Sequence, residues 1–163
     1  MSRLKAFLFP ELNLKLVVRA GLVAAIAVFF FTRVLVPFHV SGHSMVPTYQ
    51  DGDFSFCNRL HYVYTPLSRH DVVAIRYAGT RVMLLKRILA FEGETVEFRQ
   101  GRLYVDGRPI VEPYVLYTRN WNLEPRVVSP GQVYVAGDNR GMEMSRHDFG
   151  QTGIDRIIGV PLW

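Results

Sequence analysis

Residues 16–40 read LVVRAGLVAAIAVFFFTRVLVPFHV. An apolar run of that length has to be kept from water, and this dictates how the rest of the chain can be arranged. Its uncharged centre, residues 20–32, makes about 20 Å of helix at ~1.5 Å per residue, short of a bilayer's ~30 Å hydrocarbon core. Arg19 and Arg33 bracket that centre. Their aliphatic stems can lie in the apolar phase while the charged heads reach the two interfaces. No polar face interrupts residues 20–31, which argues against an interfacial helix or an ordinary core helix. Residues 34–38 (VLVPF) offer no small-residue site for removing a cleavable leader. The segment therefore predicts an uncleaved transmembrane anchor over residues 14–37, with Pro37 ending the helix.

Charge supports this division. The formal charge is +5, and residues 1–40 hold Arg3, Lys5, Lys15, Arg19 and Arg33 against Glu11 alone. The remainder holds 13 arginines and one lysine against 13 acids. A nucleic-acid module would concentrate its basic residues on the folded body. Here the body is balanced, so membrane lipid is the expected contact and nucleic acid is not. Basic residues ahead of the anchor place residues 1–13 in the cytoplasm and residues 38–163 on the far side. A single cysteine, Cys57, excludes an intramolecular disulfide framework and a cysteine-rich zinc module. No histidines sit at ligand spacing beside carboxylates, so neither metal nor cofactor is expected.

Beyond residue 40 the chain reads as short strands with Gly and Pro punctuation. Strands are expected at 71–77, 81–89, 95–98, 103–105, 132–136 and 154–160, with Gln100-Gly101 closing a hairpin. Residues 120–130 read as a loop, and no long amphipathic helix follows residue 40. The fold class is mainly β, an antiparallel sheet domain behind one N-terminal helix.

Two segments carry candidate chemistry. Lys86 is the only lysine after residue 40. Lysine, unlike arginine, can lose its proton when desolvated. It lies in an apolar strand with Leu84 and Ile88 on its face, while Arg87 points the other way, toward solvent. Ser44 sits in Ser41-Gly42-His43-Ser44-Met45-Val46-Pro47-Thr48, a turn-forming stretch that can hold a hydroxyl out of a ladder. A serine hydroxyl needs a base before it becomes a nucleophile. His147-Asp148 is a weaker candidate for that base, since adjacent strand residues point in opposite directions and nothing local ties the pair to Ser44.

These segments together resemble type I signal peptidases. Residues 42–48 are similar to their G-x-S-M-x-P-T, His70-Asp71-Val72-Val73 to G-D-[IV]-V, and Lys86-Arg87-Ile88 to K-R-[IV]. Residues 94–113 (ETVEFRQGRLYVDGRPIVEP) and Gly137-Asp138-Asn139-Arg140 follow in the family's order. The resemblance implies a membrane-bound serine–lysine endopeptidase acting on secretory preproteins with signal peptides, with no cofactor. It implies Ser44 as nucleophile and Lys86 as general base, with Gly42, Asp138, Asn139 and Ser145 as oxyanion or supporting residues. The implied location is the bacterial cytoplasmic membrane, with the mitochondrial inner membrane as the alternative.

The chain departs from the pattern after Arg140. Glu143 stands where the family has the serine that steadies the lysine amine, and the usual aspartate is missing. An acid beside Lys86 would favour its ammonium and oppose catalysis. Glu143 is therefore expected to point outward, with Ser145 or Asp138 orienting the lysine. Two other roles fit the same residues: a dedicated processing peptidase for one pilin or conjugation-type precursor, and a catalytically degenerate, membrane-tethered binding domain.

Overall fold

A computed structural model describes residues 13–78 and 82–162. The cytoplasmic stretch expected over residues 1–13 lies almost wholly outside the described residues, as do residues 79–81 between two of the expected strands.

Helix α1 spans Leu14–Arg33. Asn13 caps it, its side chain accepting from the Leu16 N–H at 2.9 Å, and Arg33 stands in the last turn, where the helix dipole favours a cation. Thr32 satisfies its hydroxyl internally on the Val28 carbonyl at 2.6 Å. No α1 residue is buried, and mean hydropathy reaches 2.2. Twenty residues make about 30 Å of helix, so α1 is long and apolar enough to cross a membrane.

The helix stops earlier than Pro37 would require. Strand β1 (Leu35–His39) begins at once and pairs antiparallel with β2 (Phe54–Asn58). Pro37 is accommodated because β1 is an edge strand, where a missing N–H breaks no ladder bond. A four-residue helix, α2 (His61–Tyr64), is the only other α-helix among the described residues.

The remaining strands are β3 (Val72–Ala78), β4 (Val82–Phe91), β5 (Thr95–Arg99), β6 (Arg102–Val105), β7 (Arg108–Pro109), β8 (Leu123–Val127), β9 (Gln132–Ala136), β10 (Gly150–Gly153) and β11 (Ile157–Pro161). They form two sheets with antiparallel pairing throughout. One has seven strands in the order β1-β2-β11-β3-β4-β9-β10, and the other has four, β7-β6-β5-β8. The β5–β6 hairpin turns at Gln100 and Gly101, both at positive φ, as its sequence predicts.

Several strands depart from the sequence reading: β2 and β7 were not expected, and the strand expected at 154–160 begins only at Ile157, after a 3-10 turn at Ile154–Arg156. Residues 123–127, expected as loop, pair with β5 at the edge of the small sheet, which tolerates Pro125. Gly150–Gly153 pairs with β9 although it carries no β-branched run.

Strand β4 lies between β3 and β9 near the middle of the large sheet, and it is buried on both faces. Lys86, opposite Val73, is 3% exposed, and Arg87, opposite Val72, is 8% exposed. The expectation that Arg87 reaches solvent is thus corrected. Its face of β4 is covered by the residue 137–140 turn rather than by water. Met45, 2% exposed, packs with Val40, Tyr49, Cys57, Ala74 and Leu85. Burying such a side chain contributes about 1.5–3 kcal/mol, and here it pins the residue next to Ser44 onto the sheet.

Candidate active site

The turn carrying Ser44 is held from three sides. Gly42 adopts φ +90°, and its N–H donates to Asp51 Oδ1 at 2.7 Å. Met45 anchors the next residue in the core. The Asn139 N–H donates to the Ser44 carbonyl at 2.9 Å, and the Asn139 side chain donates to the His43 carbonyl at 2.9 Å. Backbone and side chain of one asparagine therefore clip the Ser44 turn to residues 137–140. Among the described residues no acceptor bonds the Ser44 N–H.

Lys86 reaches Ser44 from β4, with Nζ 2.8 Å from Oγ. Burial pushes this amine down from 10.5 to about 8, against the smaller opposing pull of the Asp148 and Asp138 carboxylates. About one molecule in ten then carries a neutral Lys86 at pH 7, against roughly one in three thousand at the ordinary value. A desolvated amine in contact with a hydroxyl can take the hydroxyl's proton.

Beneath the pair lies a buried ionic network. Arg87 forks onto Asp138, with Nε and Nη2 at 2.8 and 2.6 Å, and Thr48 donates to the same carboxylate at 2.5 Å. The Arg87 guanidinium also donates to the His70 carbonyl at 2.6 Å and lies 3.9 Å over the Tyr114 ring. Arg140 donates to Gly137 O at 2.7 Å and to both oxygens of Glu112 at 2.7 and 3.2 Å. Segments spread from Ser44 to Arg140 thus converge on one place.

The expected supports do not all meet the lysine. Asp138 is fully buried but belongs to Arg87 and Thr48, and it makes no hydrogen bond to Lys86. Ser145 is exposed and lines an outer groove with Glu143, Arg119 and Trp121. Glu143 points outward, its side chain 59% exposed and 3.3 Å from Arg119.

His147, from the sequence only a weaker candidate for the base, lies buried in this region instead. His147 is 6% exposed and stacks edge-on against Trp121 at 5.0 Å. Its ring nitrogens face the Ser44 and Asp148 main-chain carbonyls without closing a well-formed hydrogen bond to either. Neither nitrogen bonds Ser44 Oγ, so a serine–histidine–aspartate relay is not assembled. The sequence offers it only as the His147-Asp148 pair, four residues past the outward-pointing Glu143.

Two cavities flank β4 beside the pair. A small one of about 30 Å³ is lined by Phe38, Gly42, Ser44, Met45 and Leu85 among others. A larger one of about 260 Å³ is lined by Leu84, Lys86, Asp148, Phe149, Arg76 and Arg156 among others.

The family model described as signal peptidase, peptidase S26, matches residues 13–161. The chain belongs to that family. It is 33% identical over 135 residues to signal peptidase I T of Bacillus subtilis (strain 168), covering 76% of this chain and 70% of that protein. It is 32% identical over 163 residues to probable signal peptidase I-1 of Synechocystis, covering 95% and 82%. A crystal structure of a signal peptidase I from Enterococcus faecalis V583 aligns at 29% identity with TM-score 0.49, over 59% of this chain and 97% of that one. Membership makes the chain a signal peptidase enzyme, and its family's work is the removal of signal peptides. The apolar α1 fits a membrane-anchored member.

Beside the Ser44 turn, Gly137 leaves no room for a side chain. A Cβ on Gly137 would lie 2.1 Å from the Ser44 carbonyl oxygen and 2.6 Å from His147 Cε1. Gly137→Ala must therefore displace the Ser44 backbone or the imidazole. Displacing a reacting group by ~1 Å costs on the order of 100-fold. We expect kcat/KM for a preprotein to fall by about that factor, and wild-type rates in the alanine variant would contradict the packing described.

Proposed function

We propose that this peptidase removes signal peptides through Ser44 as nucleophile and Lys86 as general base. The 2.8 Å contact between Lys86 Nζ and Ser44 Oγ, made by a lysine only 3% exposed, carries this reading. Neutral Lys86 accepts the Ser44 proton as Oγ attacks the scissile carbonyl. The developing oxyanion lies toward the free Ser44 N–H. The Lys86 ammonium then protonates the leaving amine, which departs with the mature chain and leaves an acyl-enzyme. A water molecule, its proton taken by Lys86, releases the signal peptide.

The family's work on signal peptides and the narrow cavity of about 30 Å³ beside Ser44 support a subsite for a small side chain. A methyl group fits there and an aromatic ring does not. Helix α1 acts as the membrane anchor of a bacterial cytoplasmic-membrane protein, with its N-terminus in the cytoplasm and residues 38–163 extracytoplasmic. Ser44 comes eleven positions after the last helical residue, Arg33, so the nucleophile stays close to the membrane face, where the cleavage site of a tethered signal peptide lies.

The full chain, purified in detergent, tests this against a panel of preproteins. Wild type is expected to cut after alanine and not after phenylalanine at the same position. Ser44→Ala is expected to lose at least about 1,000-fold in rate with an unchanged melting temperature. A Ser44→Ala variant that cleaves refutes the nucleophile. Cleavage of one precursor alone points to a dedicated processing enzyme, and a wild type that cuts nothing points to a binding domain.

A further inference from the structure

A neutral amine has one lone pair and two N–H bonds. To act as a base on Ser44, Lys86 must aim the lone pair at Oγ, which requires its N–H bonds to be held elsewhere. Among the described residues the Lys86 amine has one hydrogen-bond partner, Ser44 itself. Of the nearby acids, Asp138 is committed to Arg87 and Thr48 and Glu143 to Arg119 at the surface, while Asp148, which lines the cavity beside Lys86, is exposed and makes no hydrogen bond to the amine. Ser145 is exposed.

Among the described residues His147 is the buried polar side chain left over. It is buried, and both ring nitrogens lack a partner, an arrangement that native interiors seldom leave without a use. Its place is fixed. Trp121 holds one side at 5.0 Å, and the bare Cα of Gly137 admits the ring next to the Ser44 carbonyl. For packing alone a phenylalanine would fill this aromatic cluster of Trp121 and Phe149 without burying two polar atoms. The groups facing the ring are Lys86 from β4, Arg140 and Gly137 from the turn after β9, and the Ser44 and Asp148 carbonyls. Burial, then the Lys86 and Arg140 charges, push the imidazole down to about 4. The ring is thus neutral at working pH, with one nitrogen always an acceptor.

We propose that His147 is the positioning residue for Lys86: its neutral ring accepts a hydrogen bond from the Lys86 amine in the substrate-bound site and so aims the amine's lone pair at Ser44 Oγ. This rests on the serine–lysine reading above. The contact is open in the free enzyme and closes when substrate expels water, as catalytic hydrogen bonds often do. An interaction made only on the way to the transition state raises kcat rather than lowering KM.

His147→Phe and His147→Asn, in the full chain in detergent, separate this from a packing role. The phenylalanine variant should lose about 10- to 100-fold in kcat, with KM within about twofold and an unchanged or higher melting temperature. An acceptor facing the amine favours the ammonium, so its removal should also move the acid limb of the kcat profile to lower pH. The asparagine variant, which restores an acceptor oxygen, should recover most of the rate. Wild-type kcat in the phenylalanine variant overturns the proposal. So does an asparagine variant no faster than phenylalanine, or a rate loss that tracks a falling melting temperature in both. Failure of the underlying base reading would be seen separately, as a Lys86→Met enzyme that still cleaves.

Discussion

Replacing Lys86 with methionine is expected to abolish preprotein cleavage and, at neutral pH, to make the protein more stable. The amine is 3% exposed, and burial lowers it from 10.5 to about 8. The folded state therefore binds this proton more weakly than the unfolded chain does. At about 1.36 kcal/mol per pH unit, the difference corresponds to a destabilisation of about 3 kcal/mol. The sign follows from the two states. Below pH 8 both carry the ammonium, and the folded state bears the full cost of desolvating it. Between pH 8 and 10.5 the folded protein sheds the proton first and the cost fades. Above 10.5 neither state is charged and the cost is gone.

Methionine keeps the length and apolar stem without the charge, so Lys86→Met should gain up to about 3 kcal/mol below pH 8, with the gain disappearing by about pH 10.5. Cleavage should fall by on the order of 1,000-fold or more, since among the described residues nothing else bonded to Ser44 Oγ can take its proton. In wild type, kcat/KM should rise about tenfold per pH unit up to a plateau starting near pH 8. Calorimetry at pH 7 and pH 10.5, beside a cleavage assay, reads all three. A methionine variant that still cleaves sinks the base assignment. A stability gain as large at pH 10.5 as at pH 7 would mean that packing, not the proton, was responsible.

That coupling between burial and function explains which parts of the molecule could be read from the sequence. Strands β3, β4 and β9 lie inside a sheet, and their apolar, β-branched runs record burial directly. The β5–β6 hairpin carries its turn in Gln100-Gly101. Edge elements are harder, because pairing on one side leaves half the strand free of selection for burial. Leu123–Val127, interrupted by Pro125, and Gly150–Gly153 are both such edges. Helix α1 was placed correctly at its start but extended too far, because an apolar run continues through Leu35 and Val36 whether it faces lipid or pairs with β2. At the site, the pairing of Ser44 with Lys86 came from motif order, since the residues lie 42 positions apart. The partner of Arg87 was not legible. Alternation says which face a side chain occupies but not what covers that face, and Asp138 arrives from 51 residues away. His147 was weighed as a base beside Asp148, but its burial against the Ser44 turn was not legible for the same reason: a lone histidine gives no local sign of whether it is exposed or sealed.

The Arg87–Asp138 pair should show the second-largest effect, and on folding rather than chemistry. Asp138 is fully buried and accepts three hydrogen bonds, two from the Arg87 fork and one from Thr48. Asp138→Ala removes all three and leaves a guanidinium 8% exposed without its counter-charge. Breaking a buried pair on one side costs about 3–5 kcal/mol, a large share of the roughly 5–15 kcal/mol that holds a typical domain together. The His70 carbonyl and the Tyr114 ring still touch Arg87, which places the expected loss toward the lower end of that range. Asp138→Asn keeps the shape and an acceptor for Thr48, so it should lose less. The pair itself is a different matter from its halves. Desolvating two charges offsets most of their attraction, so an Arg87→Met/Asp138→Leu double variant should be far more stable than Asp138→Ala alone. Activity should not return with it. Asn139 follows Asp138 directly and clips the Ser44 and His43 carbonyls, and that turn loses its tie to Thr48 in either case. Denaturant titration of Arg87→Met, Asp138→Leu and their double, with cleavage rates beside each, measures the coupling. Additive losses in the double would mean that Asp138 stabilises the fold through Thr48 and the turn, with Arg87 only a bystander.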